Sequence, residues 1–353
     1  MPENLARFTS VGVGFSSHHA IADLRDYAAL AESLGYDAFW LGERYYARGI
    51  YTLAAACAQA TTRIALGLGI VSPFTRHPSL IAMETAALDE LSGGRAILGL
   101  GVAQISAERQ GQAATRPAVS LGEAVGIVRA MLAGEAAEAH GAFFTLNPPG
   151  AKLVMPLARP RVPIYLGAMG PKSLELAGRI ADGVVLGMFA TPGFVRFAKE
   201  AIARGEAQAA RPPGACRLVS YVTFAVDRDR AAARAAIRPQ MVGYLSERNS
   251  RTAAQPGSPR LVHSGIDPAT FTAVKAEVTR YVDAGRPDLA AQAIPDAVVD
   301  RLVVAGDPDE CRARLAAYRE AGLEHVVLYQ VIGPDTRVGL RLAAQEIVTH
   351  MRR

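Results

Sequence analysis

Eight short apolar runs recur along the chain, and most are followed by a helical pattern. They are VGVGF (11–15), DAFWLGE (37–43), TRIALGLGIVSP (62–73), RAILGLGV (95–102), VPIYLGAM (162–169), DGVVLGMF (182–189), RLVSYVTFAV (217–226) and EHVVLYQV (324–331). A strand with one wet face alternates apolar and polar residues. These runs are apolar without interruption, as strands of a parallel sheet are when helices cover both faces. Eight such units in 353 residues predict an α/β fold, a (β/α)8 TIM barrel, read as a single domain over 1–353. The alternative is a doubly wound sheet, which needs fewer strands and a glycine fingerprint after the first one. The turn after VGVGF reads SSHHA instead.

Two segments break the rhythm. Residues 134–163 look like a short hairpin and a Pro-rich loop. Residues 238–305, which include NSRTAAQPGSP, hold more chain than one crossover needs and are read as a late insertion. Such insertions either cover the mouth of a barrel or are packing excursions, and the sequence leaves both open.

Half of the residues are hydrophobic and 20% are charged, enough for a large buried core. A net charge of +5 raises nucleic acid, but the arginines are mixed with acids, as in DRDRAAARAAIR, with no basic block. No nucleic-acid partner is expected; an anionic small molecule suits the charge equally well. No membrane partner is expected either, because no run approaches the roughly 18 apolar residues of a span. MPENLARFTS lacks the order of a signal peptide, and Cys57, Cys216 and Cys311 lie far apart in no metal or redox spacing. Both features point to a reducing cytoplasm. His18 and His19 are adjacent, and sequence neighbours rarely chelate one ion, so no metal site is expected. His77, in TRHP, reads as a loop-fixing residue.

The joint IYLGAMGPKSLELA (164–177) carries the clearest chemistry. Gly167 and Gly170 let the backbone approach a ligand, Pro171 suits a first helical position, and Lys172 is one of only four lysines. Unpaired amides and the helix dipole at Ala168, Met169, Gly170 and Pro171 then describe a phosphate cradle; a plain strand–helix turn is the other reading. Gly69, inside the third run, marks a bulge or a close backbone approach. The third, fourth and fifth mouths, GLGIVS, GLGVAQ and LGAMG, are built of small residues, which suggests open space for a large planar ligand. At the second mouth, Glu43 is a candidate for proton transfer or a structural ion pair, and Arg44 beside it points elsewhere.

In order, LAESLGYDAFWLGE, TTRIALGLGIVSPFTRHPSLIAMETAALDELSGGRAILGLGV and YLGAMGPKSLELAGRIADGVVLG resemble the bacterial luciferase-like superfamily of flavin and deazaflavin oxidoreductases. The run GIVSPFTRHP and the AMGPK joint are most similar to its coenzyme F420-dependent branch, which includes methylenetetrahydromethanopterin reductase. The resemblance implies a homodimeric barrel with a cis peptide at Gly69–Ile70, whose bulge backs the cofactor ring. It implies cofactor contacts from Glu43, Gly69, Ile70, Val71, Ser72, Ala103, Gln104, Gly167, Ala168, Met169, Gly170, Pro171 and Lys172, and a catalytic setting at Glu43 and Arg44. Sugar-phosphate dehydrogenases of the superfamily carry an Asp-His pair and a glutamate where this chain has Glu43-Arg44 and Gln104. Without that base and acid, the resemblance implies hydride transfer between F420 and a small organic substrate with an activated double bond or imine. An FMN-dependent monooxygenase, a flavin-binding barrel without turnover, and a barrel lyase or isomerase remain as alternatives.

Overall fold

The computed structural model describes residues 10–112, 115–246, 257–330 and 332–351. Its strands are β1 (Ser10–Ser16), β2 (Ala38–Gly42), β3 (Ala65–Val71), β4 (Ala96–Gly101), β5 (Ala137–His140), β6 (Thr145–Ala151), β7 (Ile164–Gly167), β8 (Gly183–Leu186), β9 (Arg217–Val226), β10 (Val304–Gly306) and β11 (His325–Tyr329). All eight apolar runs are strands. They follow one another in the order β1-β2-β3-β4-β7-β8-β9-β11 and close into a barrel with helices between them. At the β8–β9 seam the Arg217 amide donates to the Asp182 carbonyl at 3.1 Å. β10 was not foreseen: it pairs with Phe224–Val226 of β9, beyond the stretch Val219–Thr223 that β11 covers.

Local chemistry sets the element ends. Helix Ile21–Ser33 stops where Gly35 takes φ 82°, a conformation nearly free of cost only for glycine. Helix Pro78–Leu91 starts with proline at its first position, and the His77 ring nitrogen accepts from the Ser79 amide at 3.2 Å. His77 therefore fixes the loop as expected.

The chain divides into two compact units. One holds Gly12–Val185 and Glu200–Leu218. In it Phe15 lies 5.1 Å from Tyr27 and 5.5 Å from Phe39, which seals β1 and β2 against helix Ile21–Ser33. Trp40 turns the other way and covers Gly67, where a side chain would collide with the indole. The expected hairpin is β5–β6, antiparallel. The Glu123 carboxylate accepts the amides of Ala142, Phe143 and Phe144 at its turn, and Phe143 and Phe144 then pack on Phe74 and His77.

The other unit holds Met1–Val11, Leu186–Lys199 and Val219–Arg353. The expected insertion, 238–305, is largely helical where described: helices Arg230–Leu245, Pro268–Asp283, Pro287–Gln292 and Asp296–Leu302 enclose Ile237, Met241, Phe271, Val278 and Val298. Residues 247–256 of it, with most of NSRTAAQPGSP, lie outside the described residues. Among those described, no helix is long and apolar enough to cross a membrane.

Candidate active site at the C-terminal ends of the barrel strands

Six described non-glycine residues have positive φ: Tyr46, Ala103, Arg116, Phe189, Ala210 and Gln330. Four of them (Tyr46, Ala103, Phe189 and Gln330) come just after β2, β4, β8 and β11. Backbone in this region is sparsely allowed and collects at functional sites. The C-terminal ends of the strands are also where barrel enzymes place their chemistry.

The third mouth organises the rest. The Gly69–Ile70 peptide is cis, as the resemblance implies. The register of β3 against β4 shifts between Leu68 and Val71, which is the bulge expected at Gly69. Ile70 then lies over the neighbouring strands. A methyl group on Gly101 would sit 2.8 Å from Ile70 Cδ1, and one on Gly167 would sit 2.9 Å from its Cγ2. The small residues of these mouths were expected to leave empty space. In the structure Ile70 fills the space over Gly101 and Gly167, and its own half-buried side chain becomes the floor.

Val71 and Ser72 are both fully buried. The Ser72 hydroxyl donates to the Val102 carbonyl at 2.8 Å and accepts from the Phe74 amide at 3.3 Å, which ties the third mouth to the fourth. Ala103, with φ 47°, precedes helix Gln104–Arg109. The side chain of Gln104 lies outside the described residues.

The second mouth carries a result that the sequence did not show. Glu43 is paired twice with Arg76, Nη1 to Oε2 and Nη2 to Oε1, both at 2.8 Å. Its side chain is only 5% exposed. Arg76 Nε also faces Glu84 at 3.6 Å, and burial lifts the Glu84 pKa above the ordinary carboxylate value. Tyr45 shares a hydrogen bond with Thr75 on the same loop. Arg76 and Thr75 were legible only as neighbours of His77. Arg44 is exposed, and its backbone is held by Ser17, whose hydroxyl accepts the Arg44 amide at 2.9 Å. Burial, then the charges of Arg44 and Arg48, keep the His18 pKa below its ordinary value, so this imidazole is neutral at pH 7.

At the fifth mouth, Gly170 is the N-cap of helix Pro171–Ile180 and is extended, φ −95° and ψ 155°. No side chain caps this helix, so the first-turn amides of Lys172 and Ser173 are left for an outside acceptor. A methyl group built on Gly170 meets nothing within 4 Å. Ala168 is buried and Lys172 is exposed. Open space beside Gly170, uncapped amides, a dipole and a cation together fit a phosphate. Gly167, three residues earlier, lies under Ile70, so cradle and floor share one strand end.

Residues 6–325 match the family model described as luciferase-like monooxygenase. The chain belongs to this family. Within it, the chain is 32% identical to the 5,10-methylenetetrahydromethanopterin reductase of Methanolobus tindarius, over 96% of this chain and 99% of that protein. A putative coenzyme F420-dependent oxidoreductase of Mycobacterium tuberculosis is also 32% identical, over 85% of this chain and 88% of its own. Among solved structures, the coenzyme F420-dependent tetrahydromethanopterin reductase of Methanopyrus kandleri superposes with a TM-score of 0.86 at 26% identity, covering 97% of this chain and 99% of that one. The luciferase-like fold accounts for the barrel order, the hairpin between β4 and β7, and the helical insertion before β10.

Proposed function

We propose that this protein is a coenzyme F420-dependent oxidoreductase that moves hydride between the deazaflavin and a small organic substrate with an activated double bond or imine. The observation that carries the reading is the junction of the Ile70 floor with the open Gly170 cradle. The first offers a flat apolar seat, and the second offers amides and positive potential to a phosphate. The deazaflavin supplies the redox chemistry when bound.

The chain's own residues orient and exclude. Lys172 and the first-turn amides hold the phosphate end. Ile70 would back the ring on one side, leaving the other side for substrate. Glu43, fixed by Arg76, stands at the second mouth, where it would help orient the ring. Arg44 and Gln104 occupy the positions where related dehydrogenases place a base and an acid, which favours an electrophile that needs neither. The F420 dependence named for the Mycobacterium tuberculosis relative and for the Methanopyrus kandleri reductase favours F420 over FMN.

Paired fluorescence titrations of the apo-protein test this. F420 is expected to bind at least about tenfold more tightly than FMN, a difference of about 1.4 kcal/mol. Tighter FMN binding would replace the proposal with a flavin monooxygenase.

The protein is further read as a cytoplasmic homodimer. Its three cysteines are all free and buried, in keeping with a reducing compartment. Leu80, Met83 and Leu91 are 41%, 52% and 43% exposed along helix Pro78–Leu91, an apolar stripe suited to a second copy. Sedimentation at the mass of one chain would exclude the dimer.

A further inference from the structure

A cavity of about 340 Å³ is lined by none of the candidate active-site residues, and its whole lining belongs to the unit that holds Leu186–Lys199 and Val219–Arg353. That volume suits a small molecule. Packing fixes its walls. On one side helix Pro192–Gln208 begins, and the Thr191 hydroxyl before it donates to the His263 carbonyl at 2.9 Å. A side chain on Gly193 would collide with that carbonyl, so glycine lets the helix start close to it. The His263 ring stacks on Phe197 with centroids 4.6 Å apart. On another side, helix Pro308–Glu320 presents Arg314, Ala317 and Tyr318, whose spacing of three and four residues places them on one face. Val303, Val304 and Tyr318 are buried and give the cavity an apolar floor.

The charges around it do not balance. Arg196, Arg301 and Arg314 line the cavity against one carboxylate, Asp300. Asp300 is already engaged, by Arg314 at 2.6 Å and by Arg234 at 2.9 Å, and Arg314 also donates to the Val303 carbonyl at 2.8 Å. Those groups are wall. Arg196 and Arg301 are exposed, and among the described residues no carboxylate pairs with either. Gly265, at φ 75°, leaves room for the Arg301 guanidinium, whose Nη1 would lie 3.7 Å from a methyl group built there. The rim therefore carries two guanidinium charges, and the start of a 17-residue helix adds to the positive potential.

We propose that this cavity is a second ligand site, which takes a phosphate monoester with an apolar body. Arg196 and Arg301 hold the phosphate at the rim, and the body lies on the floor of Val303, Val304 and Tyr318. The charge count selects the head group. A phosphate monoester carries about −1.5 to −2 at pH 7 and matches two guanidinium forks, whereas a carboxylate leaves one of them unmatched. The site stands independently of the oxidoreductase reading. The competing account is a solvated groove edged by ordinary surface arginines. The two differ in whether both arginines act on one ligand and whether the apolar body adds affinity.

The test is calorimetric titration with phenyl phosphate, inorganic phosphate and benzoate, at ionic strength held constant with chloride. It is run on the wild type and on Gly170→Val, in which the phosphate cradle is blocked. Both proteins are expected to bind phenyl phosphate, about fivefold or more tightly than either of the other two anions. In the Gly170→Val background, Arg196→Met and Arg301→Met are each expected to weaken phenyl phosphate about tenfold or more, the worth of a charge-assisted hydrogen bond. Both positions are exposed, so the thermal midpoint is expected to stay where it was. Ala317→Leu, which puts bulk on the floor, is expected to weaken phenyl phosphate and to spare inorganic phosphate. No binding of phenyl phosphate, or binding that neither arginine variant weakens, overturns the site. Binding lost in Gly170→Val also overturns it, since the signal would then belong to the cradle. Inorganic phosphate bound as tightly as phenyl phosphate overturns the ligand class. Arginine-dependent binding of phenyl phosphate by a protein that does not bind F420 upholds the cavity and removes only the oxidoreductase reading.

Discussion

Replacing Gly170 with valine is expected to lower F420 affinity about a hundredfold or more while leaving the fold in place. The backbone there is extended, a conformation that a β-branched residue adopts readily, and the added Cβ meets no protein atom within 4 Å. The structural cost is then the loss of a favourable N-cap residue, about 1 kcal/mol, or a shift of a few degrees in thermal midpoint. The same side chain would stand across the first-turn amides, where phosphate oxygens belong. Each hydrogen bond to a charged group contributes about 1.5–3 kcal/mol, so displacing two of them accounts for a hundredfold. Fluorescence titration alongside thermal unfolding separates the two effects. Unchanged affinity would make the joint a plain turn. Gly167→Val is the instructive contrast, since its Cβ would press on Ile70 and unsettle the barrel wall.

Those two glycines show what a sequence does and does not carry. Strands, helices and the hairpin are written in local patterns, because burial on both faces, a glycine stop or a proline start involves residues close together in the chain. Thus the eight strands, the His77 cap and the bulge at Gly69 were all readable. Who occupies the space a glycine leaves is a long-range fact. Gly101 and Gly167 look as vacant in the sequence as Gly170 does, yet Ile70 fills the first two and nothing fills the third. Glu43 likewise read as either a proton-transfer group or half of a structural ion pair, and the sequence did not name the partner. Its partner is 33 residues away and adjacent only because β2 and β3 are neighbours.

The Glu43–Arg76 pair leads to the second large effect. Arg76→Met is expected to destabilise the protein by about 3–5 kcal/mol, because it strands a carboxylate that is 95% covered. Glu43→Gln, which keeps the volume and one acceptor oxygen, is expected to cost less, and adding it to Arg76→Met is expected to restore much of the loss. Denaturant titration of the four proteins gives the coupling directly. The deficit of Arg76→Met also has a direction in pH. Burial already holds the Glu84 pKa above its ordinary value, and the Arg76 charge opposes that rise. Without Arg76 the folded state binds a proton more readily than the unfolded chain, so its stability falls as pH rises through the carboxylate range, and the gap from wild type narrows on acidification. A gap of constant size from pH 5 to 8 would mean that lost packing, rather than unpaired charge, sets the cost. A Glu43→Gln protein that folds normally but reduces substrate slowly would then assign Glu43 to the reaction, whereas full activity would leave it as the anchor that fixes the loop behind the Ile70 floor.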